Sequence, residues 1–315
     1  MPKLRFVAGD RLGGVAFPAR RLTVLHRCQT LPAVKLHQLP ACSLPSVILF
    51  RTMRHAAATA GRRMGLAALA LGLAAVSALA APNLLTPAEK AAGYESLFDG
   101  KSLAAWRGYK RTDVPAGWQA IDGAIVLVGP GSDLVTVKTY RSFEFRFDWK
   151  IAPGENSGVL YGVNEAHREA HESGPEYQVA DHGKDGALTV NSAGGNFALH
   201  APGKDVVKPP GQWNEGRIVV NGSHVEHWLN GEKIVSYEIR SPEWAALVAQ
   251  TKFKDKPDYG KVEDGHLALQ NHGGPRWWTA RLAGVPKDDA AAIQERVAVV
   301  WFRNLRIRAL PVPHP

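Results

Sequence analysis

Glu176 and Gln178 alternate along a short run, Gly174-Pro175-Glu176-Tyr177-Gln178-Val179-Ala180-Asp181, that reads as a β-strand with two faces. Side chains alternate along a strand, so Tyr177 and Val179 form an apolar face. Glu176 and Gln178 point together off the other, with Asp181 at the strand exit. A carboxylate gives or takes protons and an amide holds hydroxyl groups, so this face could line a polar groove. It could equally meet water and carry no chemistry. Further on, Gln270-Asn271-His272-Gly273-Gly274 places an imidazole between an amide and two glycines, where backbone can approach a ligand closely. An imidazole there suits a general base. The alternative is an ordinary turn histidine.

These residues must be positioned by strands. Phe143, Phe145, Phe147 and Trp149 alternate with Glu144, Arg146, Asp148 and Lys150, the two-residue period of a half-buried strand. Leu134–Val137, Gly158–Val163, Glu176–Ala180 and Leu267–Gln270 are shorter candidates. Ile218 to Tyr237 reads as three strands joined by tight turns at Asn221-Gly222 and Asn230-Gly231. Val299 to Ala309 is a final strand. Thr86-Pro87-Ala88-Glu89 has the form of a capping box with Pro at the first helical position. Ser241-Pro242-Glu243 caps a second short helix, and a third segment runs from Asp288 to Ala298. Many short strands over about 220 residues specify an all-β domain, a sandwich or jelly roll with one or two short helices. The nine tryptophans all follow residue 81 and are read as core first, sugar-stacking platforms second.

The front of the chain is different in kind. Residues 53–80 have the order of a signal peptide: Arg54, Arg62 and Arg63, then an apolar Gly65–Val76, then Ala78-Leu79-Ala80 as a small-x-small cleavage site. The apolar run is too short for a comfortable membrane span. Residues 1–52 have no period and are read as a gene-model extension, with translation starting at Met53 or Met64. The expected organisation is therefore 1–52 extension, 53–80 signal peptide, 81–92 lead-in and 93–311 jelly-roll domain. Residues 1–80 hold 11 of the 38 Lys and Arg but one of the 29 Asp and Glu, which leaves 27 basic and 28 acidic residues from Ala81 on. The overall +9 belongs to the leader, and no nucleic-acid partner is implied. Both cysteines, Cys28 and Cys42, also lie there, so the exported part has no thiol chemistry, disulfide or lipid-anchor cysteine. These features imply an exported protein, periplasmic or extracellular, with no stable membrane insertion.

A set of motifs then follows in order: Glu95-Ser-Leu-Phe-Asp-Gly-Lys-Ser-Leu103 with Trp106, Asn156-Ser157-Gly158, Glu176-Tyr177-Gln178 with Asp181, Trp213-Asn214, His227-Trp228-Leu229-Asn230-Gly231, Leu269-Gln270-Asn271-His272-Gly273, and Phe302-Arg303-Asn304. The chain from Gly93 to about Leu310 resembles the 3-keto-disaccharide hydrolase family, described as 3-keto-glycoside 1,2-lyase and 3-keto-2-hydroxyglucal hydratase. The resemblance implies a concanavalin A-like jelly roll whose concave sheet carries the site, and an oxidised mono- or disaccharide or glycoside as substrate. Three departures stand out. Asn271 takes the place of the family's Asp, Pro275 to Arg296 is an insertion, and Gly162 stands where the family often has an arginine. These changes are expected to touch the rim of the site.

The implied reaction is proton abstraction at C2 next to a C3 ketone, β-elimination of the C1 substituent, and hydration. It needs a base, an acid, and a cation or donors for the enediolate. On the resemblance, Glu176, His272 and Asp181 are the catalytic candidates. Gln178, Asn156, Arg303 and Gln270 are candidates for substrate binding. A divalent metal on Glu176, Asp181 and His182 would serve the enediolate. Each has a plainer reading: Glu176 a solvated strand residue, Asp181 a turn cap, Asn156 a strand-start residue, Arg303 an ion-pair partner. His227 shares its face with Val225 and Leu229 and is read as a hydrogen-bonded core histidine. His167 and His171 are read as surface residues, with no third ligand beside them. No P-loop, dinucleotide glycine fingerprint or H-E-x-x-H helix is present, so no nucleotide cofactor is expected. Two other functions remain open: a non-catalytic carbohydrate-binding module, and a two-carboxylate glycosidase.

Overall fold

In a computed structural model, residues 82–181, 186–286 and 288–311 are described. The segments expected to be a gene-model extension (1–52) and a signal peptide (53–80), and His182, lie outside these residues.

Helix α1 (Pro87–Ala91) opens with the capping box expected: the Thr86 hydroxyl accepts from Glu89 N, and Glu89 reaches back to Thr86 N. The strands are β1 (Glu95–Ser96), β2 (Trp106–Gly108), β3 (Trp118–Ile121), β4 (Ala124–Leu127), β5 (Leu134–Thr136), β6 (Phe143–Ile151), β7 (Asn156–Val163), β8 (Glu176–Ala180), β9 (Asn214–Asn221), β10 (His224–Leu229) and β11 (Glu232–Glu238). Helix α2 (Pro242–Val248), strand β12 (His266–Leu269), helices α3 (Pro275–Leu282) and α4 (Ala290–Arg296), and strand β13 (Val300–Ala309) complete the chain. One sheet runs β11-β10-β9-β6-β13-β4-β3, with β1 also on β13; the other runs β2-β5-β12-β7-β8. Every ladder between them is antiparallel. This is the expected all-β jelly-roll sandwich. The expected Asp288–Ala298 segment forms α4, and the first part of the Pro275–Arg296 insertion adds a helix that was not expected, α3.

The period of β6 is read directly into the core. Phe143, Phe145, Phe147 and Trp149 are buried between the sheets, and Phe147 meets Tyr177 of β8 edge to face at 5.4 Å. Such aromatic pairs dominate core energetics because each ring removes a large apolar area from water. The expected β9–β11 meander forms, and its second turn has φ +50° at Asn230 and +85° at Gly231, the left-handed pair a tight hairpin requires. An unanticipated hairpin joins β3 to β4 through Asp122 and Gly123 at φ +50° and +74°. Its Asp-Gly pair is a turn signal of the same kind.

His227 is the core histidine expected. It is fully buried, its Nδ1 meets the Gly194 carbonyl at 3.0 Å, and its Nε2 meets the Tyr161 hydroxyl at 3.0 Å. Burial pulls its pKa down to about 4, so the ring is neutral and donates from Nδ1. Gly194 in turn belongs to a segment that covers the free edge of β8. Gln178 N donates to Gly195 O at 3.0 Å, Gly194 N to Gln178 O at 2.8 Å, and Phe197 N to Glu176 O at 3.0 Å. An edge strand left bare would expose those groups to other chains. Among the described residues no helix is long and apolar enough to cross a membrane.

Candidate active site

Three of the sequence motifs are stitched together on the outer face of the five-stranded sheet. β7 and β8 pair with Gly158 opposite Gln178 and Leu160 opposite Glu176. Gln270 N donates to Gly158 O at 2.9 Å, and the Ser157 hydroxyl donates to Gln270 O at 2.9 Å. The Gln270 amide then reaches Glu176 Oε2 at 3.2 Å. Glycine at 158 is a steric necessity, because a Cβ there would lie 2.4 Å from Glu176 Oε1. Asn156, Glu176 and Gln270 line one cavity of about 380 Å³, together with Asp133, Glu169, His171, Phe197, Lys252 and His272.

The expected face of β8 is therefore real, but it is not wet. Glu176 is 5% and Gln178 2% exposed. Burial pushes the Glu176 carboxyl up to about 8, and the Asp133 carboxylate adds to the rise while the Lys252 ammonium and the Gln270 amide oppose it. At neutral pH Glu176 holds its proton. A group protonated at neutral pH can donate a proton. Asp133 is a second carboxyl group in the same cavity. Burial raises its carboxyl to about 7, Glu169 adds to the rise, and the backbone N–H of Asn271 at 2.8 Å opposes it. Two carboxyl groups with raised pKa values in one cavity suit general acid–base chemistry near neutral pH.

The polar walls carry unmet acceptors. Asn156 Oδ1 and Gln270 Oε1 in this cavity, and Gln178 Oε1 in a neighbouring chamber, are buried without a hydrogen-bond partner. Buried carbonyl oxygens are nearly always paired, so a ligand rich in hydroxyl groups would complete them. Lys252 stands at the cavity with its ammonium over the rings of Phe197 (4.5 Å) and Phe253 (5.1 Å). Its charge lowers the pKa of both His171 and His272, behind the larger effect of burial. His272 is exposed at the rim of this cavity.

Several expectations are corrected by this geometry. Arg303 does not reach the cavity. It projects from the outer face of the other sheet, where its Nε donates to Asp148 at 3.2 Å and its guanidinium stacks on Trp213 at 4.0 Å. Its neighbour Asn304 exchanges hydrogen bonds with Asn83 at 2.6 and 2.8 Å, so the Phe302-Arg303-Asn304 motif anchors the lead-in segment. Asp181 lines a neighbouring chamber with Gln178, and its Oδ2 accepts from Gly154 N at 2.8 Å, tying the β6–β7 turn. Five residues of extended chain separate Glu176 from Asp181, about 16 Å at 3.3 Å per residue. Ligands to one divalent ion lie about 2–2.6 Å from it, so these two do not converge on a shared metal. Among the described residues no group of three or more His, Cys, Asp or Glu is placed to hold one. Gly162, with φ +62° and the Val262 carbonyl 2.9 Å from any Cβ, lies in a separate cavity with Tyr140 and Arg240, away from the site rim.

Asp133, His171 and Lys252 were not singled out by the sequence reading as site residues. Asp133 sits in a turn before β5, Lys252 in the loop after α2, and His171 in a 3-10 turn, Ala170–Glu172. None has a local motif that marks it. His167, by contrast, is paired with Asp258 at 2.8 Å.

The chain matches a family profile described as 3-keto-alpha-glucoside-1,2-lyase-like domain over residues 93–308. It is 29% identical over 252 residues to a 3-keto-disaccharide hydrolase of Bacteroides thetaiotaomicron, covering 69% of this chain and 79% of that one. A crystal structure of a putative glycosyl hydrolase from Parabacteroides distasonis superposes with a TM-score of 0.61 at 36% identity, over 73% of this chain and all of that one. A second glycosyl hydrolase structure of the same organism gives 0.50 at 25% identity, over 69% and 99%. The fold, the sugar-suited cavity and the ordered motifs agree with these likenesses, and the chain belongs to the family of carbohydrate-acting 3-keto-alpha-glucoside-1,2-lyase-like domains.

Proposed function

We propose that this protein cleaves 3-keto-glycosides by elimination and hydration, with net hydrolysis of the glycosidic bond. The observation that carries this reading is the pair Asp133 and Glu176, two carboxyl groups in one cavity with pKa values near 7 and 8. The name of the Bacteroides relative, a 3-keto-disaccharide hydrolase, supports the substrate class.

In this mechanism the Asp133 carboxylate takes the proton from C2, which the C3 ketone acidifies. Negative charge grows on the C3 oxygen, and the Lys252 ammonium with the Gln270 and Asn156 amides opposes it. The electron pair returns to expel the C1 substituent, whose oxygen takes the proton from Glu176. Hydration runs the same groups in reverse. Glu176, now ionised, takes a proton from water as its oxygen adds to C1, and Asp133 returns the proton to C2. The expected absence of a nucleotide cofactor follows from this chemistry, which has no net oxidation or reduction.

The deciding assay incubates purified protein with 3-keto-trehalose, a 3-keto-glucoside and their unoxidised parents. Cleavage of the keto forms alone is the expected result. Binding without turnover would make the protein a carbohydrate-binding module, and cleavage of the unoxidised glycoside an ordinary glycosidase. The same proposal places the protein outside the cytoplasm, on the order of basic, apolar and small-x-small parts in residues 53–80. N-terminal sequencing of the exported protein tests it, and a mature chain that retains Phe6 or Leu36 would overturn it.

A further inference from the structure

The insertion builds a second compartment onto the catalytic cavity. A space of about 420 Å³ is lined by Glu155, Asn156, His272 and Trp277, with Leu127 and Val299 beneath. It shares Asn156, His272, Gly273 and Gly274 with the cavity that holds Asp133 and Glu176. The two spaces are therefore contiguous across those residues. Trp277 is 37% exposed, one of the few large apolar side chains left open to solvent among the described residues.

Trp277 is held in place from every side. It is the third residue of α3, and its neighbour Trp278 is buried, meets it edge to face at 4.7 Å and donates from Nε1 to Asn271 Oδ1 at 3.1 Å. Arg281, one turn further along α3, sits 4.9 Å from the Trp277 ring centre. The same guanidinium is ion-paired to Glu155 and donates to the carbonyls of Val297 (2.6 Å) and Ala298 (3.1 Å). A Cβ at Gly273 would lie 2.5 Å from the indole, so glycine at 273 lets the ring lie against the chain at the groove. A fixed, half-open indole beside carboxylate, amide and imidazole groups is an amphipathic wall, and that is what a pyranose matches: an apolar face with hydroxyl groups around its edge. One acceptor there, Asn156 Oδ1, is buried and without a partner.

We infer that this compartment is the leaving-group subsite, that it takes a second, unoxidised pyranose ring, and that Trp277 is its specificity-determining wall. The inference rests on the proposed cleavage of 3-keto-glycosides, since the 3-keto ring must sit with Asp133 and Glu176. Its polar groups favour a sugar over a plain aryl group, and its size favours a ring over a methyl group. Rigid placement matters, because a wall that had to be ordered on binding would return less affinity.

Kinetics on a 3-keto-disaccharide and on the methyl 3-keto-glucoside test it, with wild type, Trp277→Ala and Trp277→Phe. Stacking on an aromatic face contributes enough that its loss reads as roughly a tenfold change in an equilibrium. The expected result is a fall of about tenfold in the ratio of kcat/KM for the disaccharide over the methyl glycoside in Trp277→Ala. The fall should appear mainly in KM and be largely restored in Trp277→Phe. An unchanged ratio, or equal loss on both substrates, overturns the subsite. A second measurement needs no turnover: titration of unoxidised glucose, followed by the indole N–H resonances of wild type and Trp277→Ala. Saturable shifts in wild type that vanish in Trp277→Ala support the subsite, and their absence in wild type counts against it. If glucose binds through Trp277 while no keto substrate is cleaved, the subsite stands and the proposed reaction fails. If keto substrates are cleaved with an unchanged ratio, the reaction stands and the subsite fails.

Discussion

The carboxyl group of Glu176 lies over the backbone of Gly158, so close that a Cβ at 158 would come within 2.4 Å of Glu176 Oε1. Gly158→Ala therefore displaces the carboxyl that the proposed mechanism uses as its acid. Overpacking of this kind costs about 1–3 kcal/mol, and a displaced acid costs about a hundredfold in rate. The variant is expected to fold with a lower midpoint in urea and to lose far more kcat than KM. A Gly158→Ala protein with wild-type kcat would show that Glu176 does not need its present position.

Glu176 trades stability for function. Its carboxyl rises from 4.5 in the unfolded chain to about 8 in the fold. Between those values the folded state keeps a proton that the unfolded state has released. Stability from this group is thus full below about pH 4.5 and falls as pH rises through the window to 8. Glu176→Gln keeps the shape and removes the penalty. It is expected to be inactive yet more stable than wild type by on the order of 2–4 kcal/mol near pH 8, with little difference near pH 4. Thermal melts of both proteins at the two pH values check it.

Rate should follow both carboxyl groups. Activity rises as Asp133 ionises near pH 7 and falls as Glu176 ionises near pH 8, which gives a narrow bell. The two groups feel each other, so the limbs report the pair more than either residue. Asp133→Asn is expected to lower kcat by about 10²–10⁴ and to remove the ascending limb. A broad plateau from pH 5 to 9 in wild type would rule out this pairing.

Asn271 ties its own loop to the segment before β5. Its amide donates to Gly129 O at 3.2 Å and Gly131 O at 3.1 Å, while its backbone N–H donates to Asp133 at 2.8 Å. An aspartate cannot donate to those carbonyls, and its charge would stand beside Asp133. Asn271→Asp is expected to cost about 1–3 kcal/mol of stability and to shift the ascending limb of the pH profile upward, because a nearby like charge raises a carboxyl pKa. Melts and the pH profile read the two effects separately.

Arg303 supplies the contrast. Its partners are Asp148 and Trp213 on the far sheet. Arg303→Ala is expected to leave kcat/KM within about twofold and to cost at most about 1 kcal/mol, the range of a partly exposed ion pair. A loss of activity without loss of stability would return it to the site.

Much of the fold was legible because its signals are local. The alternation of β6 tells which residues face the core, since a pleated strand has no other way to place them. Asn230-Gly231 marks its hairpin because that turn demands positive φ, and Thr86 with Glu89 marks a helix start because the first turn needs partners for its N–H groups. The Asp122-Gly123 hairpin carried the same kind of signal and was passed over. The insertion was harder. Gly274 begins α3 without a side-chain cap, and the helix is held by Trp278 and Arg281 reaching distant partners.

The amino-acid sequence by itself determined the sandwich, the shared face of Glu176 and Gln178, and the motifs that meet at Gly158 and Gln270. The tertiary structure alone decided what Glu176 is. A strand reads the same whether its second face is wet or covered, and only burial by packing in the folded chain raises the Glu176 carboxyl to about 8. It alone brought Asp133 and Lys252 to the cavity and sent Arg303 to the other sheet. Burial and through-space charge are properties of packing between distant segments, and local sequence patterns do not encode them.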